Sequence, residues 1–98
     1  MTKDLEWIKA KDGHVQVGIT KYALGQLGEI VYIELPEVGR RVEEGEEVVI
    51  LESTKAATDI YAPKGGKITR INEKLRDNPS LINHSPEDEG WLYELSLD

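Results

Sequence analysis

The chain has 98 residues, with 19 acidic and 12 basic side chains and a formal net charge of −7. That length makes one domain, residues 1–98, with a single modest core and little margin for a large active-site cavity. The acidic balance argues against nucleic-acid binding, which needs a basic stripe, and the lack of cysteine excludes disulfides and thiolate chemistry.

Residues 1–6 hold no apolar run long enough for a signal peptide or a membrane span, so a cytoplasmic protein off the membrane is expected. Residues 6–11 then alternate polar and apolar side chains, and Asp12-Gly13 behind them is a hairpin signal. Residues 14–20 alternate again, with Val15, Val17 and Ile19 on one face, so the two segments form an antiparallel pair. Thr20 can cap a helix of one or two turns that Gly25 or Gly28 ends. Residues 29–35 are β-branched and aromatic and read as a strand, closed by the turn Pro36-Glu37-Val38-Gly39. A second turn falls at Gly45. Residues 47–52 form an apolar strand buried on both sides or nearly so.

After a turn carrying Lys55 come a strand at 58–62, a turn at 63–66 built on proline and paired glycines, and a strand at 67–71. Residues 72–77 are polar, Asn78 or Ser80 starts a helical turn through Leu81-Ile82, and 83–90 read as loop. Residues 91–97 close the chain as a strand with Trp91, Tyr93, Leu95 and Leu97 on one face. The fold class is all-β: a small sandwich or flattened barrel with one or two short helical turns. Residues 29–35 and 46–51 resemble 59–62 and 67–71, which suggests a symmetric pair of hairpins with the lysine loop at one tip.

Enzyme signatures are missing. The glycines lie in strand turns and make no phosphate loop, the serines have no nucleophile arrangement with histidine, and the acidic pairs read as solvated surface. His14 and His84 are too far apart in sequence to suggest a metal site. Trp7 and Trp91 read as core anchors rather than nucleic-acid stacking platforms, because no basic patch gathers around them. No catalytic residue and no metal ligand is therefore assigned. Lys55 is left, either as a solvated residue at a hairpin tip or as a lysine held out for covalent modification. The turn around it has no glycine, so it must use ordinary backbone angles. A lysine nucleophile needs a depressed pKa, and the flanking Glu52 and Asp59 favour the charged form. Lys55 is thus a poor Schiff-base lysine and a suitable attachment point.

The segment Leu51-Glu52-Ser53-Thr54-Lys55-Ala56 resembles the lipoylation sequence of the glycine cleavage system H-protein family. Val17-Gly18-Ile19-Thr20, Leu27-Gly28-Glu29-Ile30-Val31, Glu34-Leu35-Pro36-Glu37-Val38-Gly39, Ile60-Tyr61-Ala62-Pro63, Asn78-Pro79-Ser80-Leu81-Ile82-Asn83 and Glu89-Gly90-Trp91-Leu92 follow in family order and spacing. Together they span nearly the whole chain. Biotinyl domains place methionine on both sides of the modified lysine, whereas Thr54 and Ala56 stand here.

The resemblance implies a lipoyl-domain fold of two facing sheets with pseudo-twofold symmetry and lipoate in amide linkage to Lys55 (N6-lipoyllysine). Glu52, Ser53, Thr54 and Ala56 would form the recognition loop for a lipoate ligase or lipoyltransferase. It implies a monomeric, non-catalytic carrier whose swinging arm takes an aminomethyl group from glycine decarboxylase, presents it to aminomethyltransferase and is reoxidised by dihydrolipoamide dehydrogenase. The protein supplies attachment and docking while the cofactor supplies the chemistry, and tethering raises effective concentration. In the family the loaded arm folds into a cleft with an acid just before the first tryptophan and an aspartate shortly after the lysine. These positions are Glu6 and Asp59. Three departures stand out: Leu5 and Gln26 occupy positions where the family often has histidine, and the chain ends at Asp98 where the family usually continues into a helical segment. They open the alternatives of an H-like carrier serving a sulfur-oxidising heterodisulfide-reductase-like pathway or a lipoate relay, or of an unmodified interaction module.

Overall fold

The computed structural model describes residues 6–97. Strand β1 (Glu6–Lys11) pairs with β2 (His14–Ile19) in unbroken antiparallel register. At the turn between them Asp12 and Gly13 take φ of 51° and 82°, a pair of left-handed residues whose twist suits a tight hairpin. Helix α1 (Lys21–Leu27) starts at Thr20, whose hydroxyl accepts the Ala23 N–H at 3.1 Å. The helix runs through Gly25 and ends at Gly28. There φ 85° and ψ −157° fall in a region almost reserved for glycine.

Strands β3 (Ile30–Glu34), β5 (Glu47–Ser53) and β6 (Ala57–Tyr61) form a three-stranded sheet in the order β3-β5-β6. The larger sheet has the order β1-β2-β8-β7-β4, completed by β4 (Arg41–Val42), β7 (Gly66–Ile71) and β8 (Tyr93–Leu97). Val17, Ile19, Ile68, Tyr93 and Leu95 of the larger sheet share one buried cluster with Ile33, Val49, Leu51 and Ile60 of the smaller. The result is the expected all-β sandwich of two antiparallel sheets, with no closed barrel.

Four expectations change. Residues 59–62 and 67–71 do not form a hairpin: β6 stays with β5 in the small sheet, while the turn at 63–65 carries the chain across to pair β7 with β8. Arg41–Val42 is a short strand against β7, too brief to leave a pattern in sequence. Polar residues 74–77 form the short helix α2 (Lys74–Asp77), and Asn83 and His84 belong to α3 (Leu81–His84) rather than to a loop. The last strand begins at Tyr93, leaves Leu97 43% exposed and buries Glu94 on the opposite face. Arg70 at 3.1 Å and Gln16 at 3.2 Å satisfy that carboxylate.

The tryptophans are not core anchors either. Both are only half-buried, and each carries a cation 5.0 Å from its ring centre: Lys9 over Trp7 and Arg70 over Trp91. Residues distant in sequence supply Arg70, so the pairing was invisible beforehand. Trp7 lies across Gly18, where any side chain would strike the indole. Its Nε1 donates to the Pro86 carbonyl at 2.8 Å, and Lys9 Nζ donates to that of Glu87 at 2.7 Å. These bonds pin the loop after α3 to the first strand.

Candidate functional site

Lys55 stands exposed at the tip of the β5–β6 hairpin. No residue of this turn has positive φ, as the absence of glycine required. Its shape comes instead from one side chain. Ser53 Oγ accepts the N–H groups of Lys55 and Ala56, both at 3.1 Å, and donates to the Ala56 carbonyl at 3.0 Å. The Ser53 N–H reaches the same carbonyl at 2.9 Å. A serine hydroxyl substitutes here for the backbone geometry that glycine would otherwise provide. Glu52 and Ala56 are exposed beside it, and Glu52 pairs in register with Tyr32 on β3 and Ala57 on β6.

A second layer holds the turn from behind. The Thr54 N–H donates to the Glu29 carbonyl at 3.0 Å. Glu29 is fixed in turn by Asn83 from α3. Its amide donates to the Gly28 carbonyl at 3.1 Å, and its Oδ1 accepts the Ile30 N–H at 2.8 Å. The segment 28–30 is thus clamped on both sides of the carbonyl that receives Thr54. Gly28 also lies under the lysine stem: a Cβ there would stand 3.6 Å from Lys55 Cε and 3.7 Å from Cδ. Asn83, Gly28 and Glu29 were not singled out from sequence as site residues. Their signal was the Asn-Pro-x-Leu-Ile-Asn and Leu-Gly-Glu segments, whose role needed the tertiary contact to appear.

The two acids expected in a cleft take different partners. Glu6 Oε2 accepts the Tyr61 N–H at 3.1 Å, which satisfies the free edge of β6. Burial raises the Glu6 carboxyl above its ordinary value, and the Tyr61 N–H pulls partly the other way. Asp59, two residues earlier on β6, is exposed and lies against Glu47. Hydrogen bonding to Asp59 and repulsion by its charge push the Glu47 carboxyl up, while Arg40 opposes the shift. Among the described residues Glu6 and Asp59 are not bonded to each other; the backbone of β6 links them. Lys55 has no ion-pair partner among those residues, so Glu52 and Asp59 flank it in sequence without binding its amine. Gln26 is exposed on α1, and Leu5 and Asp98 lie outside the described residues.

Among the described residues no group of His, Asp and Glu could hold a metal ion. No described helix is long and apolar enough to cross a membrane. The arrangement is one exposed amine on a braced turn, with a half-buried carboxylate from β1 bonded to the edge strand that follows the turn.

Comparisons with known proteins point to one family. The family model for glycine cleavage H-protein matches residues 1–98. The chain is 53% identical over 96 residues to the glycine cleavage system H protein of Thermotoga maritima, covering 98% of this chain and 77% of that one. It is 48% identical over 95 residues to the protein of the same name from Listeria innocua, covering 97% and 76%. A crystal structure of a glycine cleavage system H protein from Mycobacterium marinum superposes with a TM-score of 0.90 at 41% identity, covering 98% of this chain and 80% of that one.

Proposed function

The chain belongs to the glycine cleavage H-protein family, and from that premise we propose that Lys55 is its lipoyl-bearing lysine. Members of the family are lipoyl carriers with lipoate covalently held on a lysine, and they work with the other enzymes of the glycine cleavage system. The observation that carries the assignment is the exposed amine of Lys55 on a turn braced by Ser53 and Glu29.

The residues fit an amide-linked group. Lys55 is reachable by a modifying enzyme, and its stem runs past Gly28, where the lack of a side chain leaves the passage open. Glu52, Ser53, Thr54 and Ala56 present a fixed backbone around the amine, which is what a ligase needs to place it against an activated carboxyl. When bound, lipoate would supply a disulfide as the cargo-accepting group. Glu6, which reaches β6 at Tyr61, and Asp59 on that strand are the carboxylates that would face the cargo's amine. A half-buried carboxylate makes a strong charge-assisted bond to such a cation. Cargo would come from glycine decarboxylase and pass to aminomethyltransferase, with dihydrolipoamide dehydrogenase restoring the disulfide.

Incubation with lipoate, ATP and a lipoate ligase, read by intact mass, should add one lipoyl group to the natural chain and none to Lys55→Ala. A lipoyl mass that survives the substitution overturns the assignment. The lipoylated protein, given glycine and glycine decarboxylase, should then gain an aminomethyl group. A carrier for another lipoate-dependent system would pass the first test and fail the second, and an unmodified interaction module would fail both.

A further inference from the structure

Tyr93 lies on β8, the central strand of the larger sheet, paired with Val17 on β2 and Ile71 on β7 and with none of its surface exposed. Its hydroxyl is buried and has no hydrogen-bond partner among the described residues. Buried hydroxyls without partners are uncommon, and phenylalanine would fill the same space without one. Glu6 pairs with Ile19, two residues along β2 from Val17. By strand alternation Glu6 and Tyr93 therefore point off the same inner face, two strands apart. Burial first and the Glu6 charge second push the Tyr93 phenol upward, so the two groups are within electrostatic reach. Yet Glu6 Oε2 accepts from the Tyr61 N–H instead.

Glu6 thus has one donor in use and a second held nearby. Resting on the reading of Glu6 as a carboxylate for the cargo's amine, we propose that Tyr93 is a positioning residue for Glu6. Its hydroxyl becomes the carboxylate's donor when an arriving amine draws Glu6 off the Tyr61 N–H. The carboxylate then accepts from the phenol on its buried side and from the amine on its open side, and stays aimed at the arm. Only hydrogen bonds are exchanged; no proton changes owner.

The test uses the lipoylated, reduced protein loaded with formaldehyde and ammonia. These condense with one thiol to give S–CH2–NH2 and one water, and hydrolysis reverses the step. Cargo retention is followed by intact mass, and the Tyr61 amide by its NMR shift and hydrogen exchange. In the natural chain, loading should shift the Tyr61 amide and speed its exchange, because its acceptor has moved. In Tyr93→Phe the amide should stay put and cargo should be lost about three- to tenfold faster, the worth of one hydrogen bond. The unloaded variant should melt at or above the natural temperature, since the substitution removes an unsatisfied hydroxyl. Equal retention and an equal amide response in the two proteins would overturn the proposal. Glu6→Gln separates the proposal from its premise. If that variant keeps cargo as long as the natural chain does, the reading of Glu6 fails and takes Tyr93 with it. If it sheds cargo quickly while Tyr93→Phe does not, only the Tyr93 proposal fails. The double variant should be no worse than Glu6→Gln alone.

Discussion

Two exposed hairpin turns of the molecule are built on opposite principles. The β1–β2 turn at Asp12 and Gly13 is made by two residues with positive φ, and a Cβ at Gly13 would meet nothing within 4 Å. The β5–β6 turn at Lys55 has no positive φ at all. It depends on the Ser53 hydroxyl, on the Glu29 carbonyl and, through segment 28–30, on Asn83 of α3. A turn that only has to reverse the chain can be specified by two local residues. A turn that has to hold one side chain in a set place draws on contacts from distant parts of the fold.

Substitution can break that contrast. Asn83→Ala should have the largest effect, because it strips partners from the Gly28 carbonyl and the Ile30 N–H together. A loss of about 2–3 kcal/mol in urea denaturation, with slower lipoylation of Lys55, is expected. Gly28→Ala comes next, at about 1–3 kcal/mol, since alanine is poorly suited to that backbone conformation. Ser53→Ala and Gly13→Ala should each cost about 1 kcal/mol, and their comparison is the sharpest. Ser53→Ala should slow the ligase, whereas Gly13→Ala should leave its rate unchanged. Equal rates for the two variants would erase the distinction between the turns.

The smallest effect concerns Glu6, whose folded-state pKa is raised above 4.5 by burial. Stability from the protonated form is present below the ordinary value and is lost as pH rises through the raised one. Glu6→Gln keeps an acceptor for the Tyr61 N–H without the charge. Its melting temperature should exceed the natural chain's at pH 7, and the gap should close as pH falls below the ordinary value of 4.5.

What the sequence disclosed divides along the same line. The Asp12-Gly13 hairpin, the Thr20 cap and the strands at Ile30–Glu34 and Glu47–Ser53 follow from neighbouring residues and were legible. The place of Lys55 at a hairpin tip was legible too, and the structure puts it there; its role as an attachment point is the proposal made above. The crossing of β7 into the larger sheet was not legible, because strand pattern reports which face is buried and not which neighbour is paired. Asn83 was likewise hidden: its two bonds span 53 and 55 residues, and an asparagine in a polar segment reads as loop. Trp7 and Trp91 looked apolar enough for the core, yet a cation lies over each ring and the Trp7 N–H needs the Pro86 carbonyl.

The bond from Trp7 to Pro86 joins residues 79 apart, whereas the Ser53–Ala56 contact spans three. Closing the longer loop carries an entropic penalty larger by on the order of 3 kcal/mol. Local closures tend to form first and distant ones last. The lysine turn is therefore among the earliest shapes this chain can take. The Asn83 clamp behind it and the Trp7 latch close far longer loops, and a folding experiment should find both formed after the turn. The shape that displays the lysine is cheap to close, and the contacts that immobilise it are costly.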